Sequence, residues 1–569
     1  MKIWAIGVAL TLILSVCGLA TASAEPGGDP TPVADAAGHA ESTILVTFDG
    51  SGPKDERATT GAIADVTGAK VVASSPVSAH TIAVVLNRSL DPDARSRMQS
   101  KVTRLPGVAA AEPPIRFHVT DATRPRTWVA AHSDQWNIYA DGGSAYGVRA
   151  DRAWPRSTGA GTIVGVVDTG ITAHPDLTGS TTAITGGNVI AGYDVISDPA
   201  SAGDGDGEDA DPTDVGDDAM TPSGHLPASW HGTHVAGIIA AQANGFGVTG
   251  VAPQAKIEPL RALGKNGGSL DDIIRAISWS VGANTWDSTG HRLPANAHPV
   301  SVLNLSLTSD EPGSCPTALQ AAIDEALARK VPVVAAAGNS SAQVGSYAPA
   351  NCRGVISVTA STRSGGPAWY SNTGTPAHPA TIAAPGGSDC APGCHGDIIS
   401  TWNNGQFATG DAVYGQMAGT SMAAPHVAAV AALVRSLHPS WSPARVRDAL
   451  TGSATAMPHC SVVRCGAGIV DAEAATAVGA FLTKKTPPSV SGSYRVGRKL
   501  SAHRGSWGPA AGRVSYRWLR NGRLIAGATH ATYRLTRRDR GATVQVQVLI
   551  AGPRAYARGV VVTRGHRVR

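Results

Sequence analysis

The sequence predicts a three-layer αβα domain with a mostly parallel sheet, preceded by a small α+β segment and followed by a small all-β sandwich. Short Val/Ile/Ala-rich runs without polar alternation recur between about residues 135 and 481, separated by helical stretches. Strands of a parallel sheet that is covered on both faces have this pattern. Residues 43–119 show the order β-α-β-β-α-β, and residues 489–569 contain strand patterns around the turn residues Asn521-Gly522.

The individual elements follow from local patterns. In the first segment Asp91 and Pro92 are expected to cap and open a helix. The predicted strands there are Ser42–Phe48, Thr81–Leu86 and Val108–Ala111, and the predicted helices are Asp55–Val66 and Asp91–Leu105. For the large domain they are the strands Thr162–Val167, Val302–Leu305, Val331–Ala336 and Val355–Val358 and the helices Ser269–Val281 and Thr317–Arg329. Tyr516–Leu519 and Thr543–Leu549 are strands of the last region.

The first 24 residues have the pattern of an export signal. Lys2 is followed by the apolar stretch Ile3–Ala20 and by the small-residue cleavage motif Ala22-Ser23-Ala24. A membrane anchor is the alternative, but the apolar run barely reaches the ~18–20 residues that a span needs. We therefore expect a secreted, extracellular protein whose mature form has no membrane span.

The cysteines agree with export. Once Cys17 is removed with the signal, six remain, and an even number in an exported chain predicts disulfides. Sequence alone permits many pairings. Proximity favours Cys390–Cys394 and Cys460–Cys465, which leaves Cys315–Cys352. Zinc is disfavoured, because the sequence contains no Cys-x-x-Cys pair.

Three segments of the large domain carry candidate chemistry. Asp168 ends a buried strand, His231 leads into an apolar helix, and Ser421 opens a long Ala/Val helix. A serine hydroxyl becomes a good nucleophile when an imidazole takes its proton, and a buried carboxylate keeps that imidazole in the correct tautomer. A helix N-terminus beside the serine favours developing negative charge.

These segments, Val166–Gly170, His231–Gly237 and Gly419–Val427, resemble the subtilisin-like serine proteases (peptidase S8) over residues 135–481, and the order Asp, His, Ser is the order of that family. The resemblance implies a subtilisin-like fold and a serine endopeptidase with the triad Asp168, His231 and Ser421. It further implies that Asn339, in Ala335–Ser340, donates to the oxyanion, and that His234 and His426 are structural.

The resemblance also implies a substrate cleft and a structural calcium ion. Thr308 stands where the family usually has Gly, and we expect broad specificity with an apolar or mixed first pocket. The residues expected to bind the substrate backbone are Ser306, Leu307, Thr308, Gly267 and Gly268. Those expected to bind calcium are Asp176, Asn244, Gln242, Phe246 and Val248, with Gln135 as an additional candidate.

An acidic loop is a second candidate cation site. It lacks the twelfth-position Glu of an EF-hand, and a merely solvated acidic loop is the alternative. The oxygen ligands would come from Asp204, Asp206, Asp209, Asp211 and Asp214.

The flanking regions complete the predicted organisation. Residues 1–24 are the signal, 25–130 a propeptide with an inhibitor-like core at 43–119, 131–482 the catalytic domain and 483–488 a linker. The resemblance implies that the propeptide assists folding, inhibits the enzyme and is removed by self-cleavage between His118 and Ala131. The enzyme is expected to be a monomer.

Residues 489–569 resemble the immunoglobulin-like modules of bacterial exported enzymes. They contain 17 Lys and Arg against one acid, Asp539, a formal charge of +16, so that the whole-chain charge of +5 leaves −11 for the remainder. This segregation predicts binding to an anionic cell-wall polymer or polysaccharide. A solvated spacer is the alternative.

Two other functions are compatible with a subtilisin-like fold. A catalytically silent binding protein would need a broken triad or oxyanion donor, and every key residue is present. A hydrolase acting mainly on esters, or a processing enzyme with one target, would keep the same residues. Peptide assays separate these from a broad endopeptidase.

Overall fold

The computed structural model describes residues 42–50, 56–119, 126–128, 134–140, 144–221, 224–388, 396–478, 483–508, 514–550 and 559–569. The predicted signal and the predicted Cys390–Cys394 pair lie outside these residues. Within them, no helix has the length and apolar character needed to cross a membrane.

The first unit is an antiparallel sheet with two helices. Its elements are β1 (Thr43–Phe48), α1 (Glu56–Thr67), β2 (Val71–Ser78), β3 (Thr81–Leu86), α2 (Pro92–Val102) and β4 (Val108–Glu112), with sheet order β2-β3-β1-β4. Alternate strand residues such as Ile44 and Val46 join Ile63 and Met98 of the helices in one core. As the sequence predicts, the Asp91 side chain accepts from the Ala94 N–H and caps α2. This is the predicted ferredoxin-like order.

A seven-stranded parallel sheet forms the centre of the second unit. Its order is β17-β16-β15-β13-β7-β11-β8, and every pairing is parallel. The strands are β7 (Ile163–Asp168), β8 (Tyr193–Asp194), β11 (Lys256–Arg261), β13 (Val302–Leu305), β15 (Val333–Ala336), β16 (Ile356–Ser361) and β17 (Ile382–Pro385). The edge strand β8 has no apolar run, which is why the sequence did not predict it.

Helices cover both faces of this sheet. They are α3 (Ala150–Ala153), α4 (Pro199–Ala202), α5 (His231–Ala240), α6 (Leu270–Ser280), α7 (Thr317–Ala328), α8 (Thr420–Leu437), α9 (Pro443–Ser453), α10 (Val462–Cys465) and α11 (Ala472–Thr476), with a 3-10 turn at Val344–Ser346. Val164 and Val166 pack in one core with α5 and α8, whereas Val167 packs in a second core with α6 and α7. The predicted three-layer αβα class is therefore confirmed.

Smaller sheets lie around this domain. Their strands are β5 (Arg116–Val119), β6 (Arg126–Trp128), β9 (Ala219–Thr221), β10 (Gly224–Leu226), β12 (Gly268–Ser269), β14 (Leu307–Ser309), β18 (Ile398–Asn403) and β19 (Ala412–Met417), paired as β12-β5-β14, β18-β19-β6 and β9-β10. Disulfides join Cys315 to Cys352 and Cys460 to Cys465.

The last region is antiparallel β structure. Its strands are β20 (Thr483–Thr486), β21 (Ser489–Ser491), β22 (Lys499–His503), β23 (Ser506–Gly508), β24 (Val514–Arg520), β25 (Arg523–Leu524), β26 (Thr532–Arg534), β27 (Thr543–Ile550), β28 (Gly559–Val562) and β29 (His566–Arg567), with a 3-10 turn at Arg537–Asp539. Trp518 is buried among Leu500, Val544 and Val546. Strand β20 lies inside the segment predicted as a linker. It pairs with β23, so the backbone groups of Thr483–Thr486 have hydrogen-bonding partners in the β domain.

Candidate active site

An aspartate and a histidine are paired at the carboxyl edge of the central sheet. Asp168 ends β7, and its Oδ1 lies 2.6 Å from Nδ1 of His231, the first residue of α5. Both side chains are fully buried. The Thr169 N–H also donates to Asp168 Oδ1, at 2.8 Å. A buried carboxylate on Nδ1 favours the tautomer in which Nε2 is the basic nitrogen.

Ser421 lies in the first turn of α8 and is hydrogen-bonded to Ser306, the residue between β13 and β14. Its Oγ donates to the Ser306 carbonyl at 3.0 Å, and Ser306 Oγ donates back to the Ser421 carbonyl at 2.9 Å. Asn304 Nδ2 in turn donates to Ser306 Oγ at 2.9 Å. The position at the helix N-terminus favours negative charge beside this hydroxyl.

Asn339 follows β15 and is oriented by the residue before Ser421. Its Oδ1 accepts from the Thr420 N–H at 3.0 Å and from Thr420 Oγ1 at 2.8 Å. Two donors on the oxygen fix which end of the amide faces Thr420, so the Nδ2 end faces the other way. Gly338 has φ of 97°, and a Cβ there would lie 2.4 Å from Asn372 Nδ2, so this turn requires glycine.

Two aspartates, which the sequence did not assign to this site, lie beside the Asp168–His231 pair. Thr169 Oγ1 accepts from the Gly232 N–H at 3.0 Å and donates to Asp214 Oδ2 at 2.6 Å. Burial, with the nearby Asp217 carboxylate, raises the pKa of Asp214 to about 7. Asp217 accepts from the N–H and hydroxyl of Ser229, two residues before His231. Nothing in the spacing of this acidic loop separates these two residues from solvated aspartates.

His234 and His426 are buried, and burial lowers the pKa of His234 to about 3 and that of His426 to about 4. His234 Nε2 lies 3.1 Å from the Ile398 and Gly415 carbonyls, and His426 Nδ1 lies 2.7 Å from the Met422 carbonyl. Both are neutral rings held by backbone carbonyls.

The cleft beside Ser421 contains a strand of the same chain. Strand β5, which follows the first unit, lies between β12 and β14 and pairs antiparallel with both. Gly268 is opposite Phe117, Thr308 is opposite His118, and Leu307 is opposite Val119. A Cβ on Gly267 would lie 2.3 Å from the Phe117 carbonyl. Four of the five predicted substrate-binding residues, Gly267, Gly268, Leu307 and Thr308, therefore lie against an extended peptide segment in this structure, whereas the fifth, Ser306, contacts Ser421.

The side chains of β5 also have defined surroundings. Phe117 is fully buried in the same apolar cluster as Leu263, Leu270 and Leu307. His118 is exposed and pairs with Asp310. This cleft therefore accepts a large apolar side chain, and its backbone strands bind an extended chain.

The predicted calcium ligands Asp176 and Asn244 lie together. Asp176 accepts from Asn244 Nδ2 at 2.7 Å, from the Val248 N–H at 2.8 Å and from the Tyr414 hydroxyl at 3.0 Å. Burial raises the pKa of Asp176. An oxygen-rich carboxylate and amide pair suits calcium in kind, provided that the Asn244 amide turns its oxygen toward the ion.

The remaining calcium candidates have other contacts. Gln242 Nε2 donates to the Leu177 carbonyl at 3.2 Å, and Gln135 pairs through both amide atoms with the Thr249 backbone. Phe246 is exposed, and its N–H donates to Asn244 Oδ1 at 3.2 Å. These contacts tie the two ends of the 242–249 loop to Leu177 and Gln135.

The aspartates of the acidic loop have separate partners and do not face one common point. Asp204 pairs with the buried Arg261, which also pairs with Asp194, whereas Asp214 lies beside Thr169. Asp209 and Asp211 accept local backbone N–H groups, as Asp204 does from Asp206. Within the part of the chain that the structure describes, no three His, Cys, Asp or Glu side chains converge as a metal site.

Comparisons with known proteins agree with this architecture. The model of the family described as "Subtilase family" (Peptidase_S8) matches residues 159–497, more than half of the 569 residues. The chain belongs to the subtilase family. It is 33% identical to Subtilisin BL of Lederbergia lenta over 56% of this chain and 92% of that subtilase.

Two longer relatives carry names that describe extracellular proteases. This subtilase is 43% identical to an "Extracellular protease" of Xanthomonas campestris, over 68% of this chain and 62% of the relative. It is 39% identical to an "Extracellular basic protease" of Dichelobacter nodosus, over 61% and 55%. The chain thus spans less than two thirds of the length of either relative.

Two solved structures are similar. One belongs to the proteases of Pseudoalteromonas arctica, with 41% identity, a TM-score of 0.55 and coverage of 60% of this chain and 96% of that chain. The other is fervidolysin of Fervidobacterium pennivorans, with 21% identity, a TM-score of 0.54 and coverage of 93% and 77%, which shows likeness of fold alone.

Proposed function

We propose that this subtilase is a secreted serine endopeptidase in which Ser421 is the nucleophile, His231 the general base and Asp168 the orienting carboxylate. The observation that supports it most strongly is the buried 2.6 Å contact between Asp168 Oδ1 and His231 Nδ1 beside a serine at a helix N-terminus. Broad endopeptidase activity and a monomeric state belong to the same proposal, as does an extracellular location, which the names of the extracellular relatives support.

In this mechanism the cleft first binds the peptide backbone. A substrate N–H that donates to the Ser306 carbonyl competes with the Ser421 hydroxyl, whose Oγ is now 3.0 Å from that oxygen. The displaced hydroxyl turns toward His231, whose Nε2 takes the proton as Oγ attacks the scissile carbonyl. Asn339 Nδ2 and the Ser421 N–H donate to the oxyanion, and protonated His231 then gives its proton to the leaving amine as the C–N bond breaks. A water molecule that gives a proton to His231 attacks the resulting acyl-Ser421 ester, and return of that proton to Ser421 Oγ releases the acid product.

Residues 43–119 act as an inhibitory propeptide in this proposal. The observation that supports this role is that β5 fills the cleft between β12 and β14. Val119, the last residue of β5, is opposite Leu307, which directly follows Ser306, the residue that contacts Ser421. We therefore expect self-cleavage directly after residue 120, within the predicted window of His118 to Ala131.

The contacts of β5 also suggest the substrate class. If a substrate binds in the same register, the cleft prefers a large apolar side chain where Phe117 lies. This position is three residues before the residue whose carbonyl is attacked. This fits endopeptidase action on unfolded or flexible protein segments, which can add a strand to the cleft.

Calcium at Asp176 and Asn244 is the proposed structural cofactor. When bound, it would stabilise the folded loop 242–248 against β19 through oxygen ligands. Such a ligand contributes ~4 kcal/mol at a thousand times its dissociation constant. A melting temperature of the Ser421→Ala chain that is equal in calcium and in chelator would exclude this site.

The central experiment is Ser421→Ala in the full chain. We expect no cleavage of casein and no maturation, because loss of the nucleophile in a subtilisin costs ~10⁶ in turnover, the value known from this family. Ser436→Ala, a substitution on the same helix away from the cleft, should leave both intact. A purified Ser421→Ala chain that matures by itself or digests casein would contradict the proposal, and a wild type that hydrolyses only small esters would favour the esterase alternative.

A further inference from the structure

The C-terminal β domain concentrates its positive charge at one corner. Three short segments, 494–499, 534–541 and 566–569, are joined by backbone hydrogen bonds, and we call them the basic corner. The Arg569 N–H donates to the Tyr494 carbonyl at 2.8 Å, the Gly497 N–H to the Leu535 carbonyl at 2.8 Å, and the Gly541 N–H to the Val568 carbonyl at 2.9 Å. The corner is therefore one continuous surface.

Most of the exposed cations of the domain lie in this corner. They are Arg495, Arg498, Lys499, Arg534, Arg537, Arg538, Arg540, Arg567 and Arg569. The other exposed cations among the described residues after 488 are Arg504, Arg517, Arg523 and Arg564. The distribution is therefore uneven, which a general excess of arginine in the domain would not produce.

Within residues 489–569, no exposed acidic side chain balances the corner. Asp539, the single acid of residues 489–569, is fully buried. It accepts from Arg520 Nε at 2.6 Å, from the Tyr533 hydroxyl at 3.0 Å and from the Thr536 N–H at 2.6 Å. Its charge is therefore used inside the domain, where these donors lower its pKa against the effect of burial.

The corner also contains like charges in direct opposition. Lys499 on β22 is the registered partner of Arg534 on β26. Like charges opposite each other on neighbouring strands are destabilising, so a bound anion is the arrangement that relieves them. Guanidinium groups bind carboxylate and sulfate in a two-pronged geometry.

We propose that the basic corner binds an acidic polysaccharide outside the cell and thereby tethers the enzyme to it. The names of the relatives place them outside cells, where nucleic acid is not the usual polyanion. Among the described Tyr and Trp side chains of this domain, Trp518 is buried and Tyr494, Tyr516 and Tyr533 are half-buried, whereas binders of single-stranded nucleic acid offer exposed rings for stacking. The remainder of the chain carries −11, so it is repelled by the same polymer.

The test uses the full chain with Ser421→Ala, which prevents self-digestion, and immobilised polygalacturonate and heparin. We expect retention at low salt and an affinity that falls steeply as salt rises. In this background Arg495→Gln/Arg538→Gln should lower the affinity by about tenfold near ~0.1 M salt. Arg495→Lys/Arg538→Lys keeps the charge but loses the two-pronged geometry, so its affinity should lie between that of the Gln variant and that of the parent.

The matched control is Arg504→Gln/Arg517→Gln, which removes the same charge outside the corner. It should change the affinity by less than about twofold, since screening weakens distant charges. Equal losses in both double variants would show that net charge alone matters and would overturn the corner. Absence of retention on both polysaccharides, or tighter binding to duplex DNA at equal charge concentration, would overturn the proposed ligand. Melting temperatures confirm that each variant is folded, and the outcome is independent of protease activity.

Discussion

At the scale of single residues, Thr420 is the side chain that fixes the proposed oxyanion donor. Its hydroxyl and N–H both donate to Asn339 Oδ1, and the same hydroxyl accepts from the Gly338 N–H at 3.0 Å. Thr420→Val keeps the shape but removes the hydroxyl. We expect kcat on a peptide substrate to fall by about tenfold with little change in KM, because the interaction matters mainly in the transition state.

Thr420→Ser is the control for that prediction, since it keeps the hydroxyl and should retain most of the wild-type kcat. A Thr420→Val enzyme with unchanged kcat would mean that the Thr420 N–H alone orients Asn339. A change confined to KM would point to substrate binding instead.

Glu258 provides a prediction about pH. It lies fully buried in β11, where Asn296 Nδ2 donates to it at 2.9 Å, and burial raises its pKa to about 8. Because the folded pKa exceeds the unfolded one, the folded state holds the proton more tightly. The stabilisation of the folded state by this proton is thus complete below about pH 4 and is lost as pH rises to about 8.

Glu258→Gln removes this titration. In the Ser421→Ala background we expect the variant to gain stability relative to its parent as pH rises from 5 to 9, by ~4 kcal/mol at most. Thermal unfolding across this range measures the difference. A constant difference between the two chains at all pH values would contradict a raised Glu258 pKa.

At the scale of elements, helix α7 depends on a residue from outside its own segment. Its N-cap position is Pro316, which has no side-chain cap. Glu112, at the end of β4, accepts from the Thr317 N–H at 3.0 Å and from the Ala318 N–H at 3.3 Å. A carboxylate at this position satisfies two helix donors and interacts favourably with the helix dipole.

Glu112→Ala should therefore weaken inhibition by the proposed propeptide. We expect about a fivefold rise in the inhibition constant when residues 42–119 are added to mature enzyme, in line with ~1 kcal/mol for a lost cap. Glu112→Gln should have an intermediate effect, because it retains acceptor capacity without the charge. An unchanged inhibition constant for the alanine variant would show that β5 alone determines binding.

The same elements show how far sequence predicts structure. Val302–Leu305 has the bounds that its apolar run predicts, and α6 and α7 end within a residue or two of the predicted positions. Local periodicity and capping decide such elements. The placement of Asp214 beside Thr169 depends on how a long loop returns to the sheet, which no local pattern encodes. Likewise, no local pattern predicts that Glu112 caps a helix that begins about two hundred residues later.

At the scale of the whole molecule, the proposed inhibitor and the cleft belong to one chain. Strand β5 already lies between β12 and β14, with Thr308 opposite His118 and Leu307 opposite Val119. If this strand leads into the bond that we propose is cut, cleavage requires no collision between molecules. Such a pre-positioned reaction is unimolecular, and its rate does not depend on the concentration of protein.

We therefore predict that the first maturation cleavage of the full chain is first-order. Its half-time should stay the same over about a hundredfold dilution, as pre-positioning requires, when followed by gel electrophoresis and by sequencing of the new N-terminus. Ser421→Ala chains mixed with a small amount of active enzyme serve as the control. Their own β5 fills the cleft, so they should stay uncut at this bond during the time in which the wild type matures. A half-time that shortens in proportion to concentration, or rapid cutting of the Ser421→Ala chain by added enzyme, would show that one molecule processes another and that β5 leaves the cleft before it is cut.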